Sequence, residues 1–149
     1  MSSVLTITPQ VLQATFEHLR RCGQGRSECV VAWVGSQERP AHVDEVVHPR
    51  HAASAVAYDI DSAWIGEFWV DLAARNRTVR AQVHTHPGSA YHSERDDTLA
   101  LVHIAGYLSL VIPRFAAGPI SLDDSYLAAR TANGSWHERD PHDTIQVTP

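Results

Sequence analysis

The chain has 149 residues, of which 44% are hydrophobic and 19% are charged, and its formal net charge is −5 with histidines neutral. This length fits one domain, here residues 1–149, that buries its own core, and this composition excludes a disordered chain. The acidic balance, without any run of lysine or arginine, argues against nucleic acid or an anionic membrane as the main partner.

The first ten residues have neither the basic flank nor the apolar core of a signal peptide. The sequence also has no apolar stretch of about 18 residues that could span a membrane. We therefore expect a cytoplasmic protein. The two cysteines, Cys22 and Cys29, lack the CxxC spacing of a redox motif, and in that compartment we expect both to be reduced thiols.

The first third of the chain predicts one helix and two strands. Thr8 followed by Pro9 is typical of a helix start, with a hydroxyl at the N-cap and proline in the first turn, and Gly23 is a plausible stop. The apolar run at residues 29–34 predicts a buried strand, and residues 43–47 predict a second one.

The middle of the chain predicts a second helix and a strand with two different faces. Asp61 is a candidate N-cap for this helix, which should end near Asn76. Residues 79–86 alternate between small apolar and polar side chains, which predicts a strand. Pro87 and Gly88 should end this strand.

A third helix is predicted after Ser93, which resembles an N-cap, and it should cover about residues 94–105. Residues 107–112 predict another apolar strand. Asn133-Gly134 is a strong hairpin signal between two further strands, and the tail from Asp140 should be frayed. Helices and strands interleave without repeats, which predicts an α/β domain with a mixed sheet and helices packed on it.

The segment with the strongest chemical signal is His84-Thr85-His86-Pro87, followed by Asp96. Residues i and i+2 of a strand project to one face, so His84 and His86 can reach a common ion at the strand's end. A carboxylate from the next element can complete three protein ligands and leave a fourth position open, which is the pattern of catalytic zinc. Taken alone, a His-x-His pair is more often a solvated strand face, and an acid in a first turn often serves only the helix start.

Together these residues resemble the JAMM motif of the JAB/MPN-plus metalloprotease family, which has a glutamate, then H-x-H-P, then S-x-x-D. The matching residues are Glu28, His84, His86, Ser93 and Asp96. The resemblance covers about residues 8–115. It implies a mixed, curved sheet flanked by helices, the JAB/MPN architecture that is also similar to cytidine deaminases.

The third ligand stays open at this point, because only five residues separate Pro87 from Ser93, fewer than the family pattern leads us to expect. Asp97 and His92 are the competitors. Asp96 is preferred because it keeps Ser93 three residues before the ligand. The chain also departs from the pattern at Val31, where the family commonly has glycine.

The resemblance implies zinc-dependent hydrolysis of an amide bond, with Glu28 as general base and Ser93 as a donor to the oxyanion. It also implies a deubiquitinase-like isopeptidase that releases a ubiquitin-like modifier. Homologues of ubiquitin-activating and ubiquitin-conjugating enzymes would be partners in a pathway linked to antiviral defence. The alternatives are a hydrolase that trims a sulfur-carrier protein and a non-catalytic MPN scaffold. A zinc deaminase lacks support, since neither His-x-Glu nor Pro-Cys-x-x-Cys occurs.

Overall fold

The structure is a computed structural model, and it describes residues 4–93, 96 and 100–149. Its helices are α1 (Pro9–Gly23), α2 (Ser62–Ala74) and α3 (Pro141–Thr144). Its strands are β1 (Leu5–Ile7), β2 (Val30–Ser36), β3 (Glu45–Val47), β4 (His51–Ala53), β5 (Tyr58–Ile60), β6 (Arg77–Thr85), β7 (Leu108–Ile112), β8 (Tyr126–Arg130), β9 (Trp136–Arg139) and β10 (Ile145–Val147).

Six of these strands form one mixed sheet in the order β3-β2-β6-β7-β8-β9. The pairing of β6 with β7 is parallel, and the other pairings are antiparallel. β4 pairs with β5 in a separate two-stranded sheet, and β1 pairs with β10 in another. The predicted α/β class with a mixed sheet flanked by helices is confirmed.

The sheet is buried on both faces, which explains why β2 has a continuous apolar sequence rather than an alternating one. Val31 and Trp33 belong to the core on the α1 face. Ala32 and Val34 belong to a second core that includes Phe68 of α2. The two helices therefore cover opposite faces of the sheet.

The start of α1 follows the prediction from the sequence. The hydroxyl of Thr8 accepts a hydrogen bond from the backbone N–H of Val11, at 3.2 Å, with Pro9 in the first turn. Within the helix, the hydroxyl of Thr15 accepts a hydrogen bond from the indole N–H of Trp33, at 2.8 Å. This bond satisfies the polar atom of the largest buried side chain and ties α1 to β2.

Asp61 is the N-cap residue of α2, as predicted, although its carboxylate makes no capping hydrogen bond and instead forms an ion pair with Arg50 at 2.8 Å. Two other predictions about local structure are wrong. The third helix does not include residues 100–105, which form bends and turns, because the N–H of Leu101 donates to the side chain of Gln82 instead. The start of that predicted helix, at residues 94, 95 and 97–99, lies outside the described residues. The tail after Asp140 is ordered, because α3 leads into β10.

The two cysteines are also paired, against the prediction of free thiols. Cys22, in the last turn of α1, and Cys29, just before β2, lie 6.0 Å apart between Cα atoms and form a disulfide. Their approach follows from the short connection between α1 and β2, which places both residues beside the loop that follows β3.

Among the residues that the structure describes, no helix combines the length and the apolar character needed to cross a membrane.

One buried polar cluster lies on the α2 face of the sheet. The side-chain oxygen of Gln82 accepts hydrogen bonds from the hydroxyl of Tyr107, at 3.0 Å, and from the N–H of Leu101, at 2.9 Å. Its amide nitrogen lies 3.4 Å from the hydroxyl of Tyr58. Gln82 is 1% exposed, so these partners replace the water that the amide loses on folding.

We expect Gly35→Ala to destabilise the protein. A Cβ atom at this position would lie 2.0 Å from the carbonyl oxygen of His42, and overpacking of this kind costs about 2 kcal/mol. Urea denaturation measures the free energy of unfolding. Gly66→Ala in α2 is the control, because nothing lies within 4 Å of its Cβ and alanine favours a helix. Equal stability of the Gly35→Ala protein and the wild type would show that the backbone moves freely here.

The buried hydroxyl of Tyr107 should make stability depend on alkaline pH. Burial, together with the neighbouring Tyr58, raises the pKa of Tyr107 well above its ordinary value. A pKa that is higher in the folded state means that the stabilisation is complete below about pH 10 and is lost as the pH rises further. Urea denaturation on both sides of that pH measures the free energy of unfolding. This free energy should fall more steeply with rising pH for the wild type than for Tyr107→Phe.

At neutral pH, the Tyr107→Phe substitution should cost about 1 kcal/mol, because Gln82 loses one hydrogen bond. Tyr91→Phe is the control, since that ring is 56% exposed, and its alkaline dependence should match the wild type. If the free energy of unfolding fell equally steeply with alkaline pH in Tyr107→Phe and the wild type, Tyr107 would not be the group responsible.

Candidate metal centre

His84 and His86 lie at the carboxyl end of β6, where the strand leaves the middle of the sheet. His84 is the last but one residue of β6 and pairs with Val30 of β2 on one side and Val111 of β7 on the other. Both side chains are buried, at 0% and 3% exposure. Their ring centroids are 5.2 Å apart, as expected for residues i and i+2 on one face of a strand.

A left-handed turn at Arg114–Ala116 holds the chain that follows His86. The N–H of His86 donates to the carbonyl of Ile112 at 3.0 Å, and the carbonyl of His86 accepts from the N–H of Phe115 at 2.9 Å. All three residues of the turn have positive φ angles, between 52° and 62°. Such a conformation costs about 1–2 kcal/mol for each residue other than glycine, so the packing around the end of β7 must compensate for it.

Asp96 places one carboxylate against both imidazoles. Its Oδ1 lies 3.1 Å from Nε2 of His84, and its Oδ2 lies 3.1 Å from Nε2 of His86. Ser93 fixes this carboxylate from behind, because its N–H donates to Oδ2 at 2.9 Å and its hydroxyl accepts from the N–H of Asp96 at 3.1 Å. This reciprocal pair resembles a capping box.

The donor atoms of His84, His86 and Asp96 all lie within 4.8 Å of one another, and all three residues are buried. Neither ring nitrogen of His84 makes a well-aligned hydrogen bond within the described residues, and the same holds for Nδ1 of His86. Buried polar atoms are normally satisfied, and a metal ion among these donors would satisfy the nitrogens that face it. The residues therefore fit a metal ion with nitrogen and oxygen ligands.

The protonation states also suit a metal. Burial lowers the pKa of His84, against the opposing effect of the Asp96 carboxylate. Burial alone would raise the pKa of Asp96, but its close contacts with both imidazoles, the charge of His84 and the N–H of Ser93 outweigh it and lower the pKa well below its usual range. Neutral imidazole and ionised carboxylate are the forms that bind metal ions.

Of the two competitors for the third position, only His92 can be placed. Its Nε2 lies 3.2 Å from the hydroxyl of Ser109, and its ring packs 4.7 Å from the ring of Trp136. Nε2 of His92 is therefore engaged with Ser109, and His92 is not among the residues whose donor atoms meet around the two imidazoles. Asp97 lies outside the described residues.

Glu28 shares the face of the sheet that carries the two histidines. The N–H of Thr85 donates to the carbonyl of Cys29, and the N–H of Cys29 donates to the hydroxyl of Thr85, so the β2–β6 register continues beyond Val30. Continuing this register by one residue aligns Glu28 with His86, and residues opposite each other in an antiparallel pair lie on the same face. Glu28 is 4% exposed.

The sequence analysis did not identify Gln82 and Tyr58 as neighbours of this site. Gln82 lies two residues before His84 on the same face of β6, and the ring of Tyr58 lies 5.3 Å from that of His84. Their signal in the sequence was weak, because a glutamine in an alternating strand usually indicates a solvated face. Both residues border the histidines and limit their access to water.

No protein-family model matches the chain. A protein of Sinorhizobium fredii named a probable metalloprotease is 38% identical to it over 128 residues, which cover 81% of this chain and 78% of that protein. This identity and coverage are sufficient to establish common family membership, and they support a metal-dependent peptidase.

Solved structures of similar fold cover 97% of this chain at 16% identity. A protein from Desulfitobacterium hafniense has a TM-score of 0.69 with 93% of its chain covered, and one from Salinibacter ruber has 0.59 with 92% covered. A JAB1/MPN domain protein from Archaeoglobus fulgidus has 0.52 with 100% covered. The chain therefore belongs to the family of that probable metalloprotease, and it has the fold of a JAB1/MPN domain.

Proposed function

We propose that the chain is a JAMM-type zinc peptidase that cleaves the amide bond after the C-terminal tail of a ubiquitin-like modifier. The observation that carries this proposal is the meeting of His84, His86 and Asp96 in one buried group at the end of β6. Three protein donors of this kind leave a position open for water, unlike the closed coordination of structural sites.

Zinc is the metal that suits two imidazoles and one carboxylate in this arrangement. When bound there, it supplies Lewis-acid activation of water and of the carbonyl of the substrate. We assign the remaining chemistry to two side chains, Glu28 and Ser93.

Glu28 is the proposed general base, and Ser93 is the proposed donor to the oxyanion. From its place opposite His86, the carboxylate of Glu28 takes a proton from the attacking water and returns it to the leaving amine. The hydroxyl of Ser93 accepts from the N–H of Asp96, and we assign its own proton to a hydrogen bond with the oxygen of the tetrahedral intermediate.

The β4–β5 sheet supports an extended peptide as substrate. The carbonyl of Ser54, between the two strands, accepts a hydrogen bond from the N–H of Glu28 at 2.8 Å, and Tyr58 of β5 contacts His84. An extended tail can add to the edge of such a sheet by main-chain hydrogen bonds, which would bring its last carbonyl to the metal. We propose cytoplasmic homologues of ubiquitin-activating and ubiquitin-conjugating enzymes as the pathway partners.

The Glu28→Gln protein should keep its zinc and lose its activity. Glutamine preserves the shape of the side chain but cannot accept the proton, and general base catalysis contributes about 10²- to 10⁴-fold to such rates. The measurement pairs zinc content by elemental analysis with kcat. Glu38→Gln, in the exposed turn after β2, is the control and should behave as the wild type. Undiminished hydrolysis by Glu28→Gln would show that the base is misassigned.

Zinc-loaded protein should cleave linear fusions of ubiquitin-like proteins directly after the tail of the modifier, and a chelator should abolish this cleavage until zinc is restored. Mass spectrometry of the products identifies the bond. Removal of a single terminal residue from a sulfur-carrier protein would favour the trimming hydrolase instead. Binding of a modifier without any cleavage would support the scaffold.

A further inference from the structure

A second group of metal-binding side chains lies outside the site described above. It consists of Cys22 at the end of α1, Cys29 before β2, His48 in the loop after β3, and His51 at the start of β4. One donor atom of each lies within 4.8 Å of those of the other three. Sγ of Cys22 lies 3.3 Å from Nε2 of His51, and Sγ of Cys29 lies 3.3 Å from Nε2 of His48.

The ring of His51 is oriented by a bond on its far side. Its Nδ1 lies 2.9 Å from the carbonyl oxygen of Pro49, and only an N–H can bond to that acceptor. The proton of a neutral ring therefore lies on Nδ1, and the lone pair of Nε2 points at the sulfur. A backbone carbonyl behind one imidazole nitrogen is the usual support for a histidine that binds metal through the other.

We propose that the reduced chain binds a second zinc ion through Cys22, Cys29, His48 and His51. Two thiolates and two imidazoles are a complete tetrahedral set, which is the chemistry of a structural zinc site. Tetrahedral geometry with ordinary bond lengths separates sulfur from nitrogen by about 3.6 Å, close to the two contacts between sulfur and nitrogen. Cys22, His48 and His51 also line a surface pocket, which gives an ion a way in.

The structure records the oxidised form of the two sulfurs, so zinc binding requires their reduction. A dithiol reductant transfers two electrons and two protons, the S–S bond breaks, and Cys22 and Cys29 become thiols while the reductant becomes a disulfide. Zinc then displaces both thiol protons to solvent. Disulfide and zinc are therefore alternative cross-links between α1 and the start of β2, and only zinc also includes the loop after β3.

This second site adjoins the strand that carries the first one. Cys29 follows Glu28 directly and is hydrogen bonded to Thr85, the residue between His84 and His86. Zinc at the second site would fix the backbone next to Glu28. Zinc binding at the second site does not depend on the proposed peptidase activity. The effect on Glu28 does rest on that proposed function.

Zinc stoichiometry tests the proposal directly. Protein reduced with a dithiol, loaded with zinc under anaerobic conditions and desalted should contain two zinc ions per chain. Cys22→Ser/Cys29→Ser should contain one, and so should His84→Ala/His86→Ala. His18→Ala is the matched control, because its ring stacks on His48 at 5.8 Å without belonging to the four ligands, and it should keep two.

Cobalt substitution provides a readout that does not depend on activity. Thiolate ligands give cobalt an intense near-ultraviolet charge-transfer band, which should appear in the wild type and in His84→Ala/His86→Ala. The band should disappear in Cys22→Ser/Cys29→Ser and weaken in His51→Ala. Because His51→Ala retains both sulfurs, it keeps the test decisive if the serine variant fails to fold. Equal zinc content of the wild type and both second-site variants, or a wild type without the band, would overturn the second site. Two zinc ions in a protein without peptidase activity would overturn only the proposed function.

Discussion

The antiparallel pairing of β2 with β6 is the constraint on which the rest of the molecule depends. Its register places Val30 beside His84, and the Cys29–Thr85 hydrogen bonds extend the contact by one residue, to the neighbour of Glu28. A slip of one residue would turn every side chain of one strand to the opposite face. The apolar residues of β2 resist such a slip, because Val31 and Trp33 would then leave the α1 core.

The candidate site contains polar and charged side chains whose burial opposes folding. Two imidazoles and a carboxylate are removed from water, and several ring nitrogens find no aligned partner within the described part of the chain. Burying such groups costs free energy, and the left-handed turn at Arg114–Ala116 adds to that cost. The apolar cores under α1 and α2 must supply the free energy that compensates for these costs. Functional sites in well-packed domains are commonly stabilised in this way by the structure around them.

The parts of this structure that were predictable from the sequence are those with local causes. The cap of α1 needs only Thr8 and Pro9, and the shared face of His84 and His86 needs only the two-residue period of a strand. β1, β4, β5 and β10 have three residues each, too few for any period to show. The ordered tail depends on a partner strand about 140 residues away, and the group of Cys22 and His51 depends on three separate segments. Such features arise from tertiary packing, and a single sequence carries no local signal for them.

The parallel pairing of Leu5–Ile7 with Ile145–Val147 joins segments from opposite ends of the described chain. During synthesis on the ribosome, Leu5 and Ile7 leave the exit tunnel well before Ile145–Val147, so they stay unpaired with β10 until those residues follow. Closing so long a loop is slow relative to local helix formation. The hairpins and α1 can therefore form during translation, while the chain acquires its complete α1 core only after β10 has left the exit tunnel.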